Sequence, residues 1–306
     1  MSEEQLCEIT DGSAWLAVSS RGAQLRGMRV VGQAIMPEFA LGHSPALSAG
    51  AQLVPWPNRV RDGRWRWQGH ELALPINEVS RNTAIHGLVC DLDFAVLEHT
   101  TNRLRLGATL AASAGYPWEL GVEFEYLLDG TSLTVTTTLH NRSGTPAPWA
   151  YGAHPYFGFE GVTGDQLTLS LAADSWLALD EQLIPIEQHS VDGTRLDLRS
   201  GRPLAELELD DVFCGLRPDA SGVIAILSSA DGRQIAVWTD EQFGYAQVFT
   251  PPAARARELA DWATVAIEPM TAPADAFNSG TGLRTLTADE RVSLRWGVTV
   301  RANVRR

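Results

Sequence analysis

Two histidines, a carboxylate and an arginine stand in contexts unlike the rest of the chain. Glu268 lies in VAIEPMTAPADAFNSG, residues 265–280, after an apolar β-branched run and before Pro269 and Pro273. Such a run reads as the end of a buried strand, and proline ends ladder pairing and stiffens the chain. The sequence therefore predicts Glu268 where a rigid strand gives way to an ordered turn. A carboxylate leaving an apolar strand is partly desolvated, which raises its pKa toward that of a useful base. The same residue could instead cap a turn or pair with an arginine.

His154 lies in WAYGAHPYFG, residues 149–158. The residue before a proline is pushed to extended conformation, so Pro155 makes His154 rigid. Trp149, Tyr151, Tyr156 and Phe157 surround it; by themselves these aromatics read as core. Histidine exchanges protons near neutral pH. His86, in NTAIHGL at residues 82–88, is followed by a glycine that leaves room beside it. A lone histidine is as readily structural.

Arg59 sits in a turn of PWPNRVRDGRWRW, residues 55–67. Five guanidinium donors and flat tryptophan faces suit sugar hydroxyls and sugar rings. Arg61, Arg64 and Arg66 alternate with aromatics and could equally decorate a surface hairpin. Asp210 and Asp211, in LELDDVF, follow a strand, where an acidic pair commonly meets solvent.

Other chemistries fall away. All 24 basic residues are arginine, so imine chemistry through a lysine and lysine-dependent phosphate loops are excluded. Cys7, Cys90 and Cys214 are few and far apart, which fits neither a disulfide framework nor a zinc knuckle. HxH, HExxH and CxxC spacings, a GxSxG elbow and a dinucleotide glycine fingerprint are all missing. The expectation is acid/base chemistry with no cofactor and no metal. A net charge of -13 gives no basic footprint for nucleic acid. The MSEEQL start lacks the apolar region of a secretory leader, and no run nears a membrane span. A soluble cytoplasmic protein with a small-molecule ligand is expected, monomer or homodimer being open.

The elements that must position these groups read as strands. Residues 15–19, 23–31, 65–67, 71–74, 93–98, 103–110, 120–128, 132–140, 223–229, 234–238 and 291–300 carry strand patterns. Residues 132–140 alternate cleanly, with Leu133, Val135, Thr137 and Leu139 on one face. Asp231-Gly232 is the clearest hairpin signal. Residues 34–52 read as a long loop and residues 253–262 as one short helix. The count is about twenty strands. The expected architecture is all-β, a sandwich or barrel, in one domain spanning residues 1–306.

Six segments, in order along the chain, resemble the aldose 1-epimerases, also called galactose mutarotases. PWPNRVRDGRW places Arg59, AIHGL places His86, and GAHPYF places His154. LDDVF places Asp210 rather than Asp211. YAQVFTPP, residues 245–252, places Gln247, and AIEPMTAPADAFNSG places Glu268. The resemblance implies a large antiparallel β-sandwich of the supersandwich type with its site on a concave face. It implies interconversion of the α and β anomers of a free aldose, with Glu268 as base and His154 as acid. That assignment requires Glu268 ionised while His154 is protonated. His86, Arg59, Asp210 and Gln247 would hold hydroxyls, and Phe249 would stack under the ring. The segment around His86 lacks the extra glycines of the best-known galactose enzymes, and WPNR replaces a tyrosine-containing form. Both features look like a bacterial side branch whose sugars vary. Two other readings stay open. A hexose-6-phosphate epimerase of the same fold would grip phosphate with Arg59, Arg61, Arg64 and Arg66. A non-catalytic sugar-binding protein would keep the aromatics alone.

Overall fold

Alternation along the long strands explains the architecture. In Ser132–Asn141 every second residue, from Leu133 to Asn141, is buried. In Arg291–Arg301 the buried set includes Leu294, Trp296 and Val298. A strand with one apolar face must cover it, and two sheets facing each other do so. The computed structural model, which describes residues 4–301, has this arrangement. The first three residues of the acidic MSEEQL start lie outside it.

A nine-stranded antiparallel sheet has Leu120–Asp129, Ser132–Asn141 and Arg291–Arg301 at its centre. A second sheet runs from Pro185–Ser190 through Ala173–Leu179, Asp210–Leu216, Tyr245–Phe249 and Thr264–Met270 to Gly152–Ala153 and Gln52–Leu53. Tyr156–Gly158 joins it by pairing with Thr264–Met270. Phe213, Val248 and Ile267 of this sheet share one apolar core with Leu133, Leu294 and Trp296 of the first. A four-stranded antiparallel sheet, Leu6–Asp11 to Gln33–Met36, adds Leu16, Val18 and Met28 to that core. The fold is all-β, built of antiparallel sheets packed face to face, as the sequence implied.

Three local expectations are corrected. Residues 34–52 are not one loop: they include most of the strand Gln33–Met36, whose Ile35 and Met36 are buried in the core. Core burial decides the conformation there over the Gly/Ser/Pro content. Residues 253–262 form only the 3-10 turn Ala256–Glu258. Among residues 253–262 Leu259 alone is buried, too little packing to hold a short helix. The α-helix among the described residues is Ala276–Ser279, where Phe277 packs 4.3 Å, centroid to centroid, from Trp65. The described strands number 27, more than expected, because several have two or three residues. No helix of the described residues is long and apolar enough to cross a membrane.

Candidate active site

The second sheet places the site by register alone. Asp210 pairs with Phe249, and Gln247 pairs with Glu268. Directly opposed residues in an antiparallel pair share a face, and so do residues two apart. Asp210, Gln247, Phe249 and Glu268 therefore project from one face, while Asp211, Val248 and Ile267 project from the other. On the far side of the Glu268 strand, Gly152 pairs with Met270 and Tyr156 with Ala266. Counting inward from either pair puts His154 opposite Glu268. The ladder breaks between them because Pro155 and Pro269 have no N–H to donate. His154 Nε2 lies 3.3 Å from Glu268 Oε1. Glu268 is thus flanked by His154 on one side and Gln247 on the other.

This corrects the expected placement of Glu268. It lies inside the strand Thr264–Met270, all seven residues of which are buried, and not at the strand's end. Pro269 is within the strand as well.

The opposite wall comes from a short ladder. Arg59–Arg61 pairs with Thr83–Ile85, which aligns Arg59 with Ile85 and brings His86 alongside. His86 N–H donates to the Asn58 carbonyl at 2.9 Å. Asn58 and His86 both have left-handed backbones, with φ of 55° and 65°. Gly87 follows at φ 74°, and a Cβ there would lie 2.1 Å from the Val54 carbonyl oxygen. Only glycine fits, and it turns the chain so that His86 faces inward.

A hydrogen-bonded chain joins the walls. Arg59 makes a two-pronged contact to Glu78, at 2.7 and 2.9 Å, and donates to Asn58 Oδ1 at 3.0 Å. Asn58 Nδ2 donates to Gln247 Oε1 at 3.2 Å, and Gln247 Nε2 donates to Asp210 Oδ1 at 2.6 Å. These contacts enclose a cavity of about 350 Å³. All seven residues expected at the site, Arg59, His86, His154, Asp210, Gln247, Phe249 and Glu268, line it. Asp211 instead faces Arg195 at 3.6 Å. The ring of Tyr156 stacks on His154, with centroids 5.2 Å apart and planes at 26°. Trp149, Tyr151 and Phe157 belong to the core.

Three of these lining residues keep a buried polar atom without a partner among the described residues: His86 Nδ1, His154 Nδ1 and Glu268 Oε2. Unmade hydrogen bonds are costly inside a fold, and clusters of them mark places prepared for something else.

Electrostatics sharpen this. Burial pushes Glu268 well above the usual carboxylate range; Asp210's charge adds to the effect and Arg59 opposes it. Burial pushes His154 down to about 4, with Arg59 adding to the lowering. His86 falls well below its ordinary value through burial, then through His154 and Arg59. Burial also raises Asp210, against the pull of Arg59. Glu78 differs: burial would raise it, but hydrogen bonds from Arg59 and Thr83 prevail and hold it low.

Both shifts run against the order expected from sequence, an ionised Glu268 beside a protonated His154. The 3.3 Å contact favours imidazolium beside carboxylate. Removing charges from water costs several kcal/mol per ion and opposes it.

The expected phosphate clamp is also corrected. Arg61 turns to Asp180 and Gln182. Arg64 and Arg66 line a separate surface groove, where Arg66 meets Glu71 at 2.6 Å. Arg61 is drawn off by Asp180, and Arg64 and Arg66 stand on a separate strand, Arg64–Trp67. The sequence reading missed Glu78, Arg81 and Arg255, which line the cavity. Nothing around Glu78 distinguishes it from a surface carboxylate; only the pairing of distant segments reveals it. Among the described residues no group of three or more His, Cys, Asp or Glu is placed to hold a metal.

The family model described as Aldose 1-epimerase matches residues 5–299. An uncharacterized protein of Escherichia coli K12, YihR, is 30% identical over 283 residues, 92% of this chain and 89% of that one. Human galactose mutarotase is 30% identical over 209 residues, 63% of this chain and 59% of its own. Among solved structures, a putative aldose 1-epimerase from E. coli K12 superposes with a TM-score of 0.85 at 22% identity, covering 98% of this chain and 99% of that one. Galactose 1-epimerase from Lactobacillus acidophilus gives 0.81 at 20% identity, with coverages of 97% and 95%. The chain belongs to the aldose 1-epimerase family.

Proposed function

We propose that the protein interconverts the α and β anomers of a free aldose by acid/base ring opening and reclosure. The observation that carries this reading is Glu268 Oε1 at 3.3 Å from His154 Nε2 within a cavity lined by hydrogen-bonding side chains. Glu268 takes the proton of the anomeric hydroxyl, and His154 gives one to the ring oxygen as the C1–O bond breaks. Rotation about C1–C2 and reclosure, with the roles exchanged, give the other anomer. The pair carries one proton throughout. Ring opening starts from carboxylate and imidazolium and ends at carboxyl and neutral imidazole. Burial shifts both groups toward the second state, which belongs to the open-chain aldehyde. Hydroxyl donors of a bound sugar stabilise the carboxylate and so prepare the first. Arg59, His86, Asp210 and Gln247 hold hydroxyls, and Phe249 covers an apolar face of the ring.

Arg61, Arg64 and Arg66 diverge from the cavity, which leaves Arg59, Arg81 and Arg255 as the arginines a phosphate would meet there. Polarimetry on freshly dissolved α-D-glucose, α-D-galactose and glucose 6-phosphate tests the reading. Acceleration of a neutral aldose supports it. Full activity in both Glu268→Gln and His154→Ala would show that these residues do not have the assigned roles.

A further inference from the structure

We propose that the protein also hydrolyses aldono-1,5-lactones to aldonic acids, with Glu268 and His154 exchanging roles between two steps. The inference rests on the anomerisation reading, because the lactone ring would sit where the aldose ring does. Anomerisation ends in reclosure, in which the sugar's own 5-hydroxyl adds across the aldehyde C=O. A 1,5-lactone presents a planar carbonyl at the same carbon, C1, with its ring already closed. Water then adds in place of that hydroxyl.

The proton moves follow from the pair. In the first step His154 takes a proton from water as the water oxygen bonds to C1, and the Glu268 carboxyl gives its proton to the carbonyl oxygen. C1 now carries two hydroxyls. In the second step the Glu268 carboxylate takes a proton from one of them as C=O re-forms. The bond from C1 to the ring oxygen breaks, and the His154 imidazolium protonates that oxygen. One water is consumed, nothing is oxidised or reduced, and the single proton of the pair is back on Glu268.

Three features of the site support this cycle. Acid and base must act on oxygens attached to one carbon, and His154 Nε2 lies 3.3 Å from Glu268 Oε1 with both side chains buried. Burial raises Glu268 and lowers His154, each toward the form in which hydration begins. Hydration in turn delivers the carboxylate and imidazolium that ring opening requires, so the two steps close without an outside acid or base. The third feature is room and spare partners at C1. A site that handles both anomers accepts a hydroxyl on either face of C1, and the hydrated lactone carries both at once. Glu268 Oε2 is buried and unpartnered among the described residues. His86 stands edge-on to His154, ring centroids 5.3 Å apart, and its Nδ1 is likewise buried and unpartnered. These atoms can hold the additional hydroxyl.

Acid release from D-glucono-1,5-lactone and D-galactono-1,5-lactone, followed in a pH-stat, tests the proposal beside polarimetry of the matching aldoses. At least one lactone is expected to open about 10²–10⁴-fold faster on the enzyme than in buffer. Glu268→Gln and His154→Gln should each lose that acceleration together with anomerisation. Calorimetric binding of the lactone to each variant shows that its cavity is intact, and either variant suffices if the other misfolds. The lactone should also inhibit anomerisation, and the inhibition should fade as acid is released. Acceleration of neither lactone would overturn the proposal, as would acceleration kept in full by both variants. Anomerisation without lactone opening would remove the hydrolysis alone. Lactone opening that depends on the pair, without anomerisation of any aldose, would leave the hydrolysis standing and remove the first reading.

Discussion

Two buried polar clusters lie one residue apart in this protein, and they are finished differently. In the core, Trp296 Nε1 donates to Tyr151 Oη at 3.0 Å, and Tyr151 donates to Gln52 Oε1 at 2.7 Å. Gln52 Nε2 donates to Tyr126 Oη at 3.2 Å, and Tyr126 donates to the Ala23 carbonyl. Each of these side chains has an acceptor for its hydrogen. Gln52 pairs with Ala153, and the next residue is His154. At His154 the rule inverts: its Nδ1, Glu268 Oε2 and His86 Nδ1 have no partner among the described residues. Strand alternation is what separates the two, since adjacent residues point to opposite faces. A completed network fixes a core. An incomplete one leaves donors and acceptors for a substrate.

The strongest way to break this contrast is Glu268→Gln. The amide keeps the shape and removes the base, so anomerisation measured by polarimetry should fall by roughly 10²–10⁴-fold. Stability should move the other way. Glu268 has a folded pKa above its ordinary 4.5, so its stabilising share is present below 4.5 and lost as pH rises through the folded value. Denaturant titrations should show the variant gaining on the wild type as pH rises above about 4.5. A variant that kept its activity, or lost stability as pH rises, would place Glu268 with the structural cluster.

The same background isolates His154. Its folded pKa of about 4 lies below the ordinary 6.5. The stability it contributes is therefore full above about pH 6.5 and lost as pH falls toward 4, by at most on the order of 3 kcal/mol. His86, lowered in the same direction, adds to the slope. Replacing His154 by Gln in the Glu268→Gln chain should flatten the loss without abolishing it. An unchanged slope would mean that His154 is charged in the fold.

Tyr151→Phe probes the finished cluster. It strands Gln52 Oε1 and Trp296 Nε1 without a partner, at about 1–3 kcal/mol for each group left unsatisfied. The denaturation midpoint should fall while anomerisation stays within about threefold, since Tyr151 faces the core and not the cavity. A large loss of activity with little loss of stability would erase the distinction between the two clusters.

This contrast also explains what the sequence could reveal. The long strands were legible because alternation over ten residues, as in Ser132–Asn141, has one physical solution. Glu268, His154 and His86 were legible as candidates because proline or glycine beside a titratable residue is unusual in a strand. Their family likeness supplied the roles. The direction of the pKa shifts was not legible, because it depends on burial created by segments far apart in the chain. Gln247 and Phe249 came from the family likeness alone; that they share a face with Asp210 and Glu268 shows only in the strand register. The loop expected over residues 34–52 failed where Ile35 and Met36 found a core that local composition does not announce.

Glu78 is the sharpest case of what stayed hidden, and it gives the smallest predicted effect. It differs from both clusters: half-buried, held as a carboxylate by its partners, and fully partnered. Arg59 approaches it with two nitrogens, Thr83 Oγ1 donates at 2.6 Å, and Arg81 lies 3.3 Å away. Its carboxylate fixes the orientation of the guanidinium whose remaining face reaches Asn58 and the cavity. Glu78→Gln keeps one acceptor of the pair and removes the charge that aligns Arg59. Arg59 holds substrate and open-chain intermediate alike, so the loss should appear in KM, about tenfold, with kcat within about threefold. A fall in kcat at constant KM would instead tie Glu78 to the proton transfers, and the boundary between structural and reactive carboxylates would have to move to include it.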